Sequence, residues 1–525
     1  MRKTVKKLTA VGLTVTSVLG LVACGSSKGT TSQGTSENKE VTKPDTFTVM
    51  CDGTVVTETN GAEAFYKQLN EATGLDIKWT RPDHASYYDA VANAFNSDDT
   101  MPDVVLLSSD YYALYASNGF LWNMTDAWEH SETKNSGRLI STADNVLSAL
   151  MVNGEDGTKA MYGLSLYRGN GCCTYVKKAW LDKAGIDASK VKDVQMDFNT
   201  YYGYLKQMAQ TMGHYVISSP GFIHPEAPNT NYLPEFYQKA QYTFYKDTSG
   251  KYVDGFAQQE MKEALQRIQT AVNDGVIDKE SVNNSTSNAR DKFFSTDPST
   301  ETGVFSYWAG TWANTLKTNL ANKGLDDELI AIKPIKELGA YTERIAPCWC
   351  ITSAAKNPEG IFKYFIDKML DGGDVQMLWT HGAKGTHWDD KAETVTVQKK
   401  EDQPKTYTEG QFHYLPGIEK PDQWQTKNHI DPILSIANFT NGYVGESLIP
   451  EVARENGEFF AENSQVAVPL PMTSELSNNI GDINTARTYV IAQVALGYMT
   501  VDEGMDYYNK TVGSLSNAVL KSLNK

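Results

Sequence analysis

Three aromatic side chains, Tyr307, Trp308 and Trp312, fall within one short stretch, and Trp349, Trp379, His387 and Trp388 follow further along the chain. Short polar and charged groups that could work beside them are Asp52, Asp110, Tyr111, Arg168 and Asn170. Flat apolar rings next to such groups suit a ligand with an apolar CH face and a rim of hydroxyls, which describes a sugar. Most aromatics of a folded chain fill its core, and this one has 28 Tyr and 10 Trp. What matters is therefore which rings the fold brings to a shared edge. Covalent chemistry has weaker support. The sequence contains no P-loop, no GxSxG and no HExxH, so no catalytic residue is assigned. His381 and His387 flank two glycines at a spacing that makes a poor metal pair, and Asp247 and Asp254 do not have the spacing of a calcium loop. Paired carboxylates decide nothing in a chain with 64 acidic residues. Neither a metal nor a cofactor is expected.

One thiol does carry a chemical signature. Residues 21–24 read Leu-Val-Ala-Cys and close a segment that begins with Arg2, Lys3, Lys6 and Lys7 and continues as the apolar stretch Leu8 to Ala23. That stretch is too short for a comfortable membrane span, and a small residue directly before cysteine matches a bacterial lipobox. The reading is a signal peptide over 1–23 and acylation at Cys24. Each buried methylene of the acyl chains would add about 0.8 kcal/mol to membrane attachment. Residues 24–45 lack aromatics and hold one valine as their only large aliphatic, which predicts a disordered tether. As a flexible coil it would reach roughly 25 Å root-mean-square.

The rest of the chain is long enough for two or three domains and contains no later apolar run of spanning length. The formal charge is −16, and removing the signal peptide takes away four basic residues and no acidic ones, leaving about −20. This sign argues against nucleic acid and anionic lipid as partners, leaving the acyl anchor as the membrane contact. After lipidation five cysteines remain: Cys51, Cys172, Cys173, Cys348 and Cys350. They lack zinc spacing and read mainly as buried thiols, with one non-local disulfide as the minority reading.

Strands and helices alternate over the first hundred residues of the body. Phe47, Val49 and Cys51 alternate as in a strand, and Ala62, Phe65, Tyr66, Leu69 and Ala72 share a helical face that Gly74 stops. LDIKW at 75–79 predicts a second strand, Tyr87 to Asn96 a second helix, and the apolar run DVVLL at 103–107 a strand buried on both faces. This βαβαβ order predicts a parallel sheet covered by helices, whose ligands sit at the strands' carboxyl ends. Asp52 and Gly53, Arg81 and His84, and Ser108 to Tyr111 occupy those ends. Further on, YKDTSGKYVDGF at 245–256 predicts a hairpin turning at Asp247 to Gly250. Met261, Ala264, Leu265, Ile268 and Val272 form a helical stripe ending near Gly275, and GVFSYWAGTW at 303–312 predicts a strand before a helix. Another strand is expected near Ile345 to Ser353. Asn357 and Pro358 should open a helix closed by Gly372, and the last hundred residues should be mainly helical, clearest over Ile480 to Met499 and Val501 to Leu523.

With these elements in order, the chain resembles the extracellular solute-binding lipoproteins of bacterial ABC importers, family 1, the group associated with complex sugars. MPDVVLLSSDYYALYASNGFLWNMTDAW (101–128) is similar to that family's "PD-strand, then helix, then G-x-L-x-x-L-T-D" block, and YGLSLYRGNG…YVKKAWLDKAGID (162–187) to its "YGLP…Y-x-R-K-D-W-L-D-K-L-G" block. ALQRIQTAVNDGVID (264–278), ITSAAKNPEGIFKYFIDKML (351–370), WTHGAKGTHW (379–388) and VIAQVALGYMTVDEGMDYY (490–508) follow in the family's order. One departure is Ala383-Lys384, where the family often has a hydrophobic residue and glutamate.

The resemblance implies an α/β, two-lobe periplasmic-binding-protein-like fold of class II type, with ligand trapped in an interlobe cleft. Lobe 1 would comprise 46–164 and 345–400, lobe 2 would comprise 165–344 and 401–525, and the glycine-containing stretches at 163–171 and 344–350 would be crossings. It also implies a monomer without enzymatic activity, held by lipid on the extracytoplasmic face, that passes a carbohydrate, more specifically an oligosaccharide, to separate permease subunits. Other readings are a sensor for a membrane histidine kinase, a surface glycan hydrolase and a peptide or other polar-solute binder. In the family an aromatic at the 307–312 turn lines the cleft.

Overall fold

The computed structural model describes residues 41–525 apart from 54–61, 84–85, 137–143, 166–168, 224–229, 326, 372, 387, 390–394, 399–403, 408–412, 415–450 and 469. The signal, the lipobox and most of the tether therefore lie outside the described residues, as do Arg168 and His387.

The first strands form as their patterns predict. β1 (Thr46–Met50) pairs in parallel with β2 (Asp76–Thr80) and with β3 (Val104–Leu107). All four residues of β3 are buried, as expected for a strand covered on both faces. Helix α1 (Ala62–Thr73) buries Ala62, Phe65 and Leu69 and stops at Gly74, whose φ of 63° is the left-handed conformation glycine supplies most readily. α2 (Tyr87–Ala94) is fixed by the Tyr87 hydroxyl, which lies 2.7 Å from the Leu106 carbonyl oxygen and 3.2 Å from that of Met50. α3 (Ser109–Ser117) follows β3 directly. After β4 (Gly163–Leu164) the chain leaves this first core and enters a second region at Cys172, where two further cores form.

In the second region β5 (Cys172–Lys177) is the middle strand of three. The expected hairpin forms between strands Phe244–Lys246 and Tyr252–Asp254. Its turn is a plain one: Asp247 Oδ1 accepts from the backbone amides of Ser249 and Lys251, and Gly250 has φ 81°. α4 (Gln259–Asn273) buries the predicted stripe and is followed by Gly275. Then come α5 (Thr286–Phe293), β6 (Val304–Trp308), α6 (Thr311–Asn322) and β7 (Leu329–Ala331), with β6 and β7 both antiparallel to β5.

The chain returns through β8 (Tyr341–Glu343) and re-enters the first core at Ile345, ahead of β9 (Cys348–Ile351). β9 runs antiparallel to β3 and to β4, so the first sheet has the order β2-β1-β3-β9-β4. The wholly parallel sheet expected from the βαβαβ order is thus a mixed one. Local order sets the first three strands, while the last two are recruited from both sides of the second region. Cys350 pairs with Gly163, and a Cβ at residue 163 would sit 2.6 Å from Cys350 Sγ, so only glycine fits there. The outgoing and returning segments also run side by side: the Arg344 amide donates to the Asn170 carbonyl oxygen at 3.0 Å.

The helix expected from Asn357 to Gly372 begins as predicted, with Asn357 Oδ1 accepting from the Gly360 amide, but it does not keep one pitch. It is α-helical over Pro358–Ile361, π-helical over Phe362–Ile366 and 3₁₀-helical over Asp367–Leu370. The change of pitch presents buried Asp367 to the amides of Glu132 and Thr133, which donate to its carboxylate at 2.8 and 2.9 Å. Closing helices α7 (Ser474–Ala495) and α8 (Val501–Leu523) are capped by Thr473 and by a Thr500–Glu503 capping box. Both bury apolar residues in the larger of those two further cores, the second core. Among the described residues no helix is long and apolar enough to cross a membrane.

Candidate ligand-binding site

Two groups of side chains are related through Arg344 on the returning crossing. The first stands at the carboxyl ends of β1 and β3. Tyr88, in the first turn of α2, stacks on Tyr111 in the first turn of α3, with ring centroids 3.9 Å apart and planes 5° from parallel. The Ser108 amide donates to the Tyr88 hydroxyl at 2.9 Å, which locks that ring to the end of β3. Burial raises the Tyr88 phenol, the Ser108 hydrogen bonds and the Arg344 charge oppose the rise, and the Asp52 charge adds to it. Asp52, half-buried after β1, and Arg344, on the returning crossing, therefore both act on the same phenol. Arg81, at the end of β2, lies over the Tyr66 ring at 5.3 Å.

The second group stands at the turn from β6 to α6. The Arg344 guanidinium lies 4.5 Å from the Trp308 ring centroid. Tyr307 points to the other face of the sheet, where it is buried and stacked between Phe305 and Tyr232, at centroid distances of 5.0 and 6.0 Å. Trp312 meets Tyr307 edge to face, at 5.1 Å and 87°. The turn itself is braced rather than free. Asn170 Nδ2 donates to the Ala309 carbonyl oxygen at 3.0 Å while its Oδ1 accepts from the Gly171 amide at 2.8 Å. Asn456 Oδ1 accepts from the Gly310 amide at 2.7 Å and lies 2.9 Å from the Tyr175 hydroxyl, so the helix Glu451–Glu462 is tied to the same turn.

Of the residues nominated from sequence, Asp52 and Tyr111 fall in the first group, and Tyr307, Trp308, Trp312 and Asn170 in the second. Asp110 lies on α3 beside Tyr111. Trp388 lies on a two-residue strand, Trp388–Asp389, paired with His413–Tyr414. Trp349 and Trp379 stand elsewhere. They are 2% and 0% exposed and pack with Phe365 in the first core, 5.7 Å from each other. Their rings fill the layer between sheet and helices and offer no face to a ligand, Trp349 on the fully buried strand β9 and Trp379 on the helix Asp374–His381. Lys384 of the glycine block is exposed, and its backbone amide and carbonyl are both bound by the Gln68 side chain of α1.

Tyr88, Arg290 and Arg344 were not singled out by sequence reasoning. The Tyr87-Tyr88 doublet opening the helix after β2 carried a signal, since one ring must enter the core and the next must leave it. For the two arginines sequence alone gives none, because their aromatic partners lie on other elements.

The five described cysteines form no disulfide with one another and are buried. Burial pushes the thiols of Cys51, Cys173 and Cys348 up to about 12, so they are protonated and unreactive at neutral pH.

No family model and no curated protein matches this sequence. Solved structures do. An extracellular solute-binding protein from Bifidobacterium longum subsp. infantis is similar over 92% of this chain and 99% of its own, at 14% identity and a TM-score of 0.61. The N-glycan transport solute-binding protein of Streptococcus pneumoniae is similar over 91% of this chain and 98% of its own, at 17% identity and a TM-score of 0.60. An HMO-binding, ABC-transporter-associated solute-binding protein of Bifidobacterium longum infantis gives 14% identity, the same coverage of 91% and 98%, and a TM-score of 0.60. At these identities what is shared is the fold: this chain has the two-lobe α/β fold of the extracellular solute-binding proteins.

Proposed function

We propose that this chain is the solute-binding component of an ABC importer, that it captures a carbohydrate, more specifically an oligosaccharide, and that acyl chains on Cys24 hold it to the outer face of a cell membrane. The observation that carries the reading is a stacked Tyr88–Tyr111 pair at the carboxyl end of β3 and an Arg344–Trp308 pair on the returning crossing, in a fold shared over nine-tenths of the chain with extracellular solute-binding proteins. We take the lobes to divide as 46–164 with 345–400 and 165–344 with 401–525, the crossings acting as the hinge.

The chemistry follows from the residues. Tyrosine and tryptophan rings contribute flat apolar area at low entropic cost, while Asp52, the phenols and Arg344 offer donors and acceptors for hydroxyls. Rotation of a few residues in the crossings would bring the two groups together around the ligand and expel water. Nothing in this arrangement activates a nucleophile, and the similar structures named above are binding proteins, which supports a role without turnover. The permease would be a separate chain that reads the closed form.

A thermal-shift screen of the full-length protein against monosaccharides, oligosaccharides and peptides tests this. A ligand at 100 times its dissociation constant stabilises by about 2.7 kcal/mol, an easily visible shift. A shift with oligosaccharides is expected. Silence across all sugars beside a shift with peptides would overturn the ligand class and keep the fold.

A further inference from the structure

The corner between Tyr307 and Trp312 holds a cation whose arrangement differs from that of its neighbours. Arg290, half-buried near the end of α5, places its guanidinium 5.7 Å from the Tyr307 ring centroid and 5.3 Å from that of Trp312. Its side-chain hydrogen-bond partner among the described residues is Ser287 Oγ, at a long 3.4 Å. Of the other covered cations of the second region, Arg267 also has no described carboxylate within 4.0 Å, but its Nε donates to the Phe236 carbonyl oxygen at 2.8 Å, and three more are neutralised. Lys177 pairs with Glu301 at 2.8 Å, Arg487 with Asp254 at 2.8 Å, and Lys292, two residues along the same helix, with Asp278 at 2.7 Å. In a chain of net charge −16, carboxylates for Arg290 are plentiful, yet none of the described ones lies within 4.0 Å of it. A second guanidinium, that of Arg344, lies on Trp308 at the same β6–α6 turn, on the other face of β6 from Tyr307.

We propose that Arg290 makes this a site for carboxylated glycans, with the sugar carboxylate received by its guanidinium at the Tyr307–Trp312 corner. The proposal rests on the binding reading above and names its ligand class. A guanidinium is a planar fork of donors that matches a carboxylate in two parallel hydrogen bonds, and it is more weakly hydrated than an ammonium. Two rings at right angles to each other flank it. Pre-orientation of this kind reduces the ordering cost that binding would otherwise incur. The negative charge of the whole protein disfavours an anionic ligand at long range, so a dedicated cation is what such a ligand would require.

The test is calorimetric titration of the full-length protein with two matched pairs: trigalacturonate against its methyl ester, and sialyllactose against lactose. The expected result is that at least one acid binds tenfold or more tightly than its neutral partner, the pair identifying a uronate or a sialate. Arg290→Gln should bring that ratio close to one and Arg290→Lys should retain part of it, with thermal midpoints checking that both variants fold. Equal affinities within both pairs, or a preference that survives Arg290→Gln, would overturn the inference while leaving carbohydrate binding in place. If neither acid binds, the inference falls, and the broader thermal-shift panel decides the binding reading separately.

Discussion

The guanidinium of Arg344 sits 4.5 Å from the centre of the Trp308 ring, joining the returning crossing to the carboxyl end of β6. One residue on the returning crossing thus touches a ring of the second region while its charge acts on Tyr88 of the first. Replacing Trp308 with alanine removes both the ring and its cation contact, and replacing Trp312 opens the neighbouring corner. Each change is expected to weaken glycan binding by about 1–3 kcal/mol, the range for losing a well-packed aromatic anchor. Titration calorimetry checks this, and unchanged affinity in both variants would remove the turn from the site.

The crossings themselves are packed to the limit. A Cβ on Gly171 would lie 2.0 Å from the Thr342 carbonyl oxygen and 2.7 Å from Phe460, and one on Gly169 would lie 1.6 Å from the Arg344 carbonyl oxygen. Gly171→Ala must therefore push two backbones apart. A loss of stability of about 1–3 kcal/mol or more is expected from such overpacking, visible as a lower urea midpoint. An unchanged midpoint would mean that the two segments are not held together in solution.

Much of this was legible in the chain, for reasons that also explain what was not. The βαβαβ start, the Asp247–Gly250 turn, the Asn357 cap and the stripe of α4 are set by neighbours in sequence, and they stand where the spacing puts them. The antiparallel β9 was not legible, since its partners β3 and β4 are distant in sequence and nothing in CWCI indicates a direction. Likewise Trp349 and Trp379 share the composition of ligand-stacking rings, and only the burial of β9 and its covering helices assigns them to the core. Arg290 and Arg344 acquire meaning from rings on other elements, which no local window contains.

The second core contains an ion pair that should resist single substitutions poorly. Arg487 is fully buried, surrounded by the rings of Tyr242, Phe244, Phe256 and Tyr508, and paired with Asp254 at 2.8 Å. Asp254 also accepts from the hydroxyls of Tyr508 and Ser516 at 2.7 and 2.6 Å. Asp254→Ala strands the guanidinium in an apolar cage and is expected to cost about 3–5 kcal/mol. Chemical denaturation gives the number, and a loss below that of an exposed salt bridge would contradict the pairing.

Anchoring is testable apart from ligand binding. With Cys24→Ala no thiol remains for acylation at the lipobox, and the protein should move from the membrane to the soluble fraction on fractionation. Membrane retention of the variant would contradict the anchor and leave the folded body's function untouched.

A final prediction concerns pH. Glu235 is buried beneath β5, where its Oε1 accepts from the Thr174 hydroxyl at 2.7 Å and lies 3.3 Å from the Tyr341 hydroxyl. Burial pushes its carboxyl up to about 7 from an ordinary 4.5, with the Thr174 and Tyr341 hydrogen bonds opposing the rise. The folded protein therefore holds this proton over a range in which the unfolded chain has lost it. That contribution is fully present below pH 4.5, declines as pH rises through the interval to about 7, and is gone above it. The linked change is on the order of 3 kcal/mol. Other carboxylates, among them Asp187, Asp197 and Asp247, are held below their ordinary values by hydrogen bonds and act in the opposite sense at lower pH. The informative quantity is accordingly the difference between the wild type and Glu235→Gln. Glutamine keeps the shape without the charge, so the variant should gain stability relative to wild type at pH 8 and lose most of that advantage at pH 5. A difference independent of pH would show that Glu235 does not titrate in this window.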